Sequence, residues 1–213
     1  MFYDKVADSW YNIRHWSLFQ DELEELNDRW ESGKLLNLGC AHGSDFLSFD
    51  REKFDLHGLD ISTELLEKAL DYSSKFNFQP KLVAGDMRNL PLKTKTFDYV
   101  ICIASIHHLL NRDERIKALE EIKRVLKSGG EAFITVWNKK QKEFILEDKT
   151  IEKNWNYKGR ELKREYYLYT YKELERDLKE AGLEVLELKP EKSYKVPFIK
   201  EFSKNILALV KKS

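Results

Sequence analysis

From residue 34 onward, short apolar runs alternate with stretches of helical periodicity, which restricts the chain to a parallel sheet covered by helices on both faces. Lys34–Leu38, Phe54–Leu59, Pro80–Ala84, Phe97–Ala104, Glu131–Trp137, Leu183–Leu188 and Ile206–Val210 read as seven strands. Phe97–Ala104 is almost wholly apolar and is expected at the centre. Ser62 is placed to cap a helix whose apolar stripe is Leu65, Leu66, Ala69 and Leu70. A second helix runs from Arg112 to Leu126 and stops at Ser128-Gly129-Gly130, and a third covers Tyr171–Ala181. Two amphipathic helices, Tyr3–Tyr11 and Leu18–Trp30, precede the sheet, so residues 1–32 are expected to lid one end of it. Residues 138–165 read as a long irregular or partly helical insertion, a candidate for substrate recognition.

Composition narrows the function. The 213 residues suit one domain, with 37 basic and 37 acidic side chains giving a net charge of zero. That balance argues against tight, sequence-blind nucleic-acid binding, although Lys189–Lys212 holds seven lysines against Glu191 and Glu201. A basic back half can hold a polyanion on one face, or be a solvated surface. No apolar run approaches the roughly 18 residues a membrane span requires, and the start shows no export signal, so the expected location is cytoplasmic. Cys40 and Cys102 make neither a disulfide framework nor a metal cluster and read as small core residues.

The chemistry begins at Leu35-Leu36-Asn37-Leu38-Gly39-Cys40-Ala41-His42-Gly43, a buried strand meeting a small-residue turn where a ligand can approach the backbone ahead of a helix N-terminus. The next strand ends in Asp60, placed to accept both hydroxyls of a ribose. The third ends near Asp86-Met87, a carboxylate and a backbone donor suited to a free adenine. Dinucleotide sites require Gly-x-Gly-x-x-Gly, but Ala41 occupies the middle position and nothing serves a pyrophosphate. The pattern therefore favours S-adenosylmethionine over NAD.

These segments resemble the class I S-adenosylmethionine-dependent methyltransferases: Asn37–Gly43 is similar to motif I, Gly58–Ser62 to motif II and Ala84–Met87 to motif III. Phe97–Val100 and Val125–Gly130 resemble later motifs. Other stretches resemble the tRNA wobble-uridine methyltransferases, which esterify 5-carboxymethyluridine in the anticodon loop. They are Tyr3-Asp4 with Ala7, Arg14 and Trp16; Ser105–Leu109 with the helix after it; Val136-Trp137-Asn138 with Gln141; and Tyr166-Tyr167. Asn37 stands where that family carries an acid, and Glu165-Tyr166-Tyr167-Leu168 replaces an Arg-Tyr-Tyr-His box, with Arg164 displaced by one position.

The resemblance implies a doubly wound, seven-stranded, mostly parallel sheet whose last strand is antiparallel. It implies S-adenosylmethionine held by Asn37, Gly39, Cys40, Ala41, Gly43, Asp60, Ile61, Asp86, Met87, Ile103 and Ala104. An acceptor carboxylate is already ionised at neutral pH, so Arg14, His107, His108 and Arg164 are expected to place it rather than deprotonate it. With an amine or hydroxyl acceptor, a histidine becomes the general base. Of the two adjacent histidines, one is expected to face the site and the other to pack. Tyr166, Tyr167, Tyr169 and Tyr171 either stack on bases or pack the insertion onto the sheet. A metabolite such as a quinone is the alternative acceptor, and an RNA-binding module without turnover is the alternative of another class. The same resemblance implies a small zinc-ribbon activator protein that adds a strand at the edge Pro80–Ala84, with Phe76, Phe78 and Leu82 buried in the joint.

Overall fold

The computed structural model describes residues 2–157, 160–195 and 200–213; residues 158–159 of the insertion thus lie outside the described residues. Seven strands form one sheet: β1 (Gly33–Leu38), β2 (Phe54–Asp60), β3 (Lys81–Ala84), β4 (Phe97–Ile103), β5 (Leu126–Trp137), β8 (Glu184–Pro190) and β9 (Asn205–Lys211). Their order is β3-β2-β1-β4-β5-β9-β8. The first five are parallel, and β9 runs antiparallel to both β5 and β8. The expected sheet, with its antiparallel last strand, is the one observed.

β4 is central because its side chains suit neither face to water: Val100, Ile101 and Cys102 have no exposure. On one face α4 (Arg112–Val125) and α5 (Tyr171–Glu180) bury Leu119, Ile122, Leu174 and Leu178 against β4, β5 and β9. On the other, α2 (Gln20–Arg29) and α3 (Thr63–Lys75) bury Leu23, Leu26, Leu66 and Tyr72. Each such side chain contributes about 1.5–3 kcal/mol by leaving water. Ser62 caps α3 by accepting the Leu65 N–H, and its hydroxyl donates to Asp4 at 2.6 Å, which ties α1 (Phe2–Ile13) to the start of α3.

The structure corrects four expectations. Leu70 is 55% exposed, and Tyr72 and Ser73 complete the buried face of α3 instead. Ser128-Gly129-Gly130 is not a helix stop: α4 ends at Val125 and the chain extends at once into β5, with Gly129 at φ +78° within it. A side chain at Gly130 would meet the Asp98 carbonyl at 2.8 Å, so the glycines let the strand resume against β4 after its register shift. The insertion is not irregular; most of it is the antiparallel pair β6 (Thr150–Tyr157) and β7 (Arg160–Tyr167), a separate two-stranded sheet. Ile151 and Tyr166 face inward with Phe144 and Leu168. Finally, β3 is an edge as expected, but Phe78 is buried against Phe46 and Tyr72, and Phe76 packs on Tyr72 and Trp16. Leu82 lies over Gly58, so none of the three is left waiting for a partner.

Candidate active site

The carboxyl ends of β1, β2 and β4, together with α1 and the β6–β7 pair, enclose a cavity of about 790 Å³. That lies in the upper part of the range for small-molecule sites, about 300–1,000 Å³, and leaves room for a nucleoside and a second group.

The turn after β1 forms the cavity floor. Gly39 has φ +75°, and a Cβ there would lie 2.3 Å from Ser105 Oγ, so only glycine fits. The Gly39 and Cys40 N–H groups both donate to the Leu59 carbonyl, which locks the turn to β2. The next turn of chain is not the expected α-helix but a 3-10 segment, Ser44–Ser48. No α-helix N-terminus therefore points at a ligand here, in keeping with a ligand that brings no phosphate. Gly43 does not line the cavity; at φ +82° it packs against Phe46.

Asp60 is 7% exposed. One of its oxygens accepts the Ala41 N–H at 2.8 Å and the other the Ser62 N–H at 2.9 Å. Burial pushes its carboxyl up from the usual range, while these backbone donors pull it down. A carboxylate has about four lone-pair directions, so two remain for a ligand. Ile61, Met87 and Ile103 supply apolar walls between Asp60 and Asp86. Asp86 is less free than its position suggests, because Arg88 binds both its oxygens and also pairs with Glu114. The guanidinium holds the Asp86 carboxyl below the usual range.

A second group of side chains closes the cavity from the other side. Arg14 lies 4.7 Å from the centre of the Trp10 ring, and Arg164 lies 4.6 Å from that of Tyr3. Trp10 of α1 meets Trp155 of β6 at 5.3 Å, and Tyr166 stacks on Trp137 at 4.6 Å. Three polar atoms here have no protein partner: Tyr3 OH, His108 Nδ1 and Arg164 Nε. His107 is the histidine that packs, its Nδ1 accepting the Trp137 N–H at 3.1 Å, and burial pushes it down to about 3. His108 faces the cavity, and burial with the nearby His107 and Arg164 pushes it well below the ordinary range. Both rings are neutral at physiological pH.

Arg14, His107, His108, Arg164, Gly39, Cys40, Ala41, Asp60, Ile61, Asp86, Met87, Ile103 and Ala104 thus converge on one cavity. Asn37 has no exposure and stands behind the wall rather than in it. Of the four tyrosines, only Tyr166 lines the cavity; Tyr169 is buried and Tyr167 lies under Arg115 at 3.6 Å. Sequence reasoning missed Trp10, Asp45, Arg88 and Trp155, all cavity residues, and named Tyr3 only within a motif. Arg88 was open to discovery, two positions beyond a candidate acid. Trp155 was hidden by reading its strand as irregular. Among the described residues no group of three His, Cys, Asp or Glu side chains could hold a metal, and no helix is long and apolar enough to cross a membrane.

Comparison with known proteins agrees with this geometry. A family described as a methyltransferase domain matches residues 35–130. A protein of Encephalitozoon cuniculi named as a methyltransferase is 31% identical over 181 residues, 82% of this chain and 80% of that one. The tRNA (carboxymethyluridine(34)-5-O)-methyltransferase of Arabidopsis thaliana is 36% identical over 147 residues, 68% of this chain; the match spans only 33% of the plant enzyme. Among solved structures, an S-adenosylmethionine-dependent methyltransferase from Clostridium acetobutylicum superposes with a TM-score of 0.75 at 22% identity, covering 99% of this chain and 96% of its own. A Haloferax volcanii methyltransferase solved in complex with the Trm112 methyltransferase activator superposes at 0.70 and 18% identity, covering 98% and 96%. The chain belongs to the methyltransferases, and its fold is that of the class I S-adenosylmethionine-dependent enzymes.

Proposed function

We propose that this chain esterifies the carboxymethyl group of a modified wobble uridine in tRNA. The observation that carries the reading is a cavity that sets the Arg14 and Arg164 guanidiniums beside histidines unable to act as bases. Arg14 and Arg164 face it, while both histidines are held neutral and far too acidic as imidazoliums to draw a proton from an amine or hydroxyl. Such a site suits an acceptor that arrives already ionised. The kinship with the plant carboxymethyluridine enzyme supports the same substrate.

The residues present fit the cofactor. The Gly39 turn leaves a cradle that a Cβ would fill, Asp60 keeps two lone pairs for ribose hydroxyls, and Met87 and Ile103 add apolar lining to the same cavity. S-adenosylmethionine supplies a methyl group activated on a sulfonium. Arg164, with the Tyr3 hydroxyl beside it, orients the acceptor carboxylate, and Arg14 balances its charge from α1. Trp10 and Trp155 offer ring faces for a splayed base and exclude water from the displacement. The chain's contribution is therefore positioning and desolvation.

The same reading includes a partner. The edge strand β3 has exposed residues at Lys81 and Ala84, and a zinc-ribbon activator adding a strand there would rest mainly on main-chain hydrogen bonds. The Haloferax structure, a neighbour in fold solved with its activator, supports looking for one. The test of the acceptor is the pH dependence of single-turnover methylation of tRNA. With a carboxylate nucleophile the rate stays nearly flat from about pH 6 to 8.5. A rise of one decade per pH unit marks an amine or hydroxyl and ends the proposal.

A further inference from the structure

The amino-acid tail of S-adenosylmethionine carries an ammonium, and a cation entering a partly dry cavity needs an anionic acceptor. The cavity offers four carboxylates: Asp45, Asp60, Asp86 and Glu114. Asp60 holds the Ala41 and Ser62 N–H groups and keeps its remaining lone pairs for the ribose, and Asp86 and Glu114 are both paired with Arg88. Asp45 differs in being held by neutral donors. The Ser17 hydroxyl and the Asn37 amide both hydrogen-bond to it, the amide at 3.4 Å, and Arg14 acts on it only through its field.

Asn37 supplies a second, independent observation. It has no exposure, yet its Oδ1 has no hydrogen-bond partner. An orphaned buried acceptor is costly and marks a place where a donor is missing. Its Nδ2 donates to Asp45 at 3.4 Å, so the side chain with the orphaned acceptor is the one that holds the cavity carboxylate from behind.

We infer that Asp45 binds the ammonium of the cofactor's amino-acid tail, with Asn37 as its positioning partner. The negative charge sits in the 3-10 segment after the glycine turn instead of at the end of β1. Ser17 lies between α1 and α2, so the tail also gathers the N-terminal segment onto the cavity. The inference rests on S-adenosylmethionine as the cofactor and adds which group reads its tail.

The test is calorimetric titration of the full chain with two ligands: S-adenosylhomocysteine, and 5′-methylthioadenosine, which keeps the adenosine and sulfur but lacks the tail. Asp45→Asn is expected to weaken S-adenosylhomocysteine about 10- to 100-fold and to leave methylthioadenosine within about twofold. Combining Asp45→Asn with Asn37→Asp returns the charge to the pair and is expected to recover most of the loss. Equal losses for the two ligands, or no loss for either, overturn the inference. Wild-type protein that binds neither ligand refutes the cofactor reading and this inference with it. Circular dichroism checks the fold, and Asp45→Ser serves if Asp45→Asn does not fold. If neither variant folds, Asp45 is a structural residue and the inference falls.

Discussion

Replacing Asp60 with alanine separates what the residue does for the ligand from what it does for the turn. The carboxylate accepts two backbone N–H groups, from Ala41 at 2.8 Å and Ser62 at 2.9 Å. Bonds to a charged acceptor are worth about 1.5–3 kcal/mol each, or roughly 3–6 kcal/mol for the pair. Part of that is offset, because burial disfavours the charged carboxylate in the folded protein. A net loss of about 2–5 kcal/mol follows, which a domain stable by about 5–15 kcal/mol usually survives. At about 2–4 °C per kcal/mol, the melting temperature should fall by roughly 4–20 °C. Loss of two ribose contacts to a charged acceptor should lower S-adenosylhomocysteine affinity by at least about 100-fold. Thermal melts with and without S-adenosylhomocysteine read both effects. Ligand at about 100 times its Kd stabilises the wild type by about 2.7 kcal/mol, and the same concentration should barely move the variant. An unchanged melting temperature would refute the structural half of the argument, and an unchanged ligand-induced shift the binding half.

Acid should destabilise the protein steeply. His42 and His107 are pushed down to about 4 and about 3 by burial, and His108 is pushed well below the ordinary range, so below about pH 6.5 the unfolded chain binds protons that the folded one refuses. Once all three titrate in the unfolded state the slope approaches about 4 kcal/mol per pH unit, opposed at lower pH by the raised carboxyls of Asp45 and Asp60. A melting temperature that is flat from pH 7.5 to 5 (roughly one unit to either side of the unfolded value) contradicts this. Arg164→Gln should lower kcat/KM for tRNA by about 10- to 100-fold while S-adenosylhomocysteine affinity stays within about twofold, read by steady-state kinetics beside calorimetry. Trp155→Ala should cost about 1–3 kcal/mol in tRNA binding, measured by fluorescence titration, if its ring carries a base.

The sheet was legible in the sequence because its strands are buried on both faces and separated by capped helices. Ser62 caps α3 as its spacing implied, Asp60 ends β2 beside the cavity, and the apolar run of β4 is the centre of the sheet. The β6–β7 pair was harder to see. Its inward positions include Lys153 and Arg164 among Ile151, Trp155 and Tyr166, so the alternation of period two is there but is blurred by charge. Those charged positions turn inward because they line the cavity, which no local pattern reveals. Asp45 was invisible for a related reason. It belongs to no strand end or helix cap, and its meaning comes from Asn37 and Ser17, which reach it from other parts of the chain. The apolar pair before β3 failed the other way, since Phe76 and Phe78 look exposed beside an edge but fold under their own helix.

The central claim is a methyl ester formed on a modified uridine of tRNA. Its most direct measurement is mass spectrometry of nucleosides from tRNA incubated with the protein, alone and with a zinc-ribbon activator, and S-adenosylmethionine carrying a deuterated methyl group. Label is expected on carboxymethyluridine, in tRNA that carries that nucleoside and not in tRNA that lacks it, and mild alkali should release it. Label on any other nucleoside, or equal uptake by both tRNA pools, would contradict the account, as would no uptake into tRNA with either preparation.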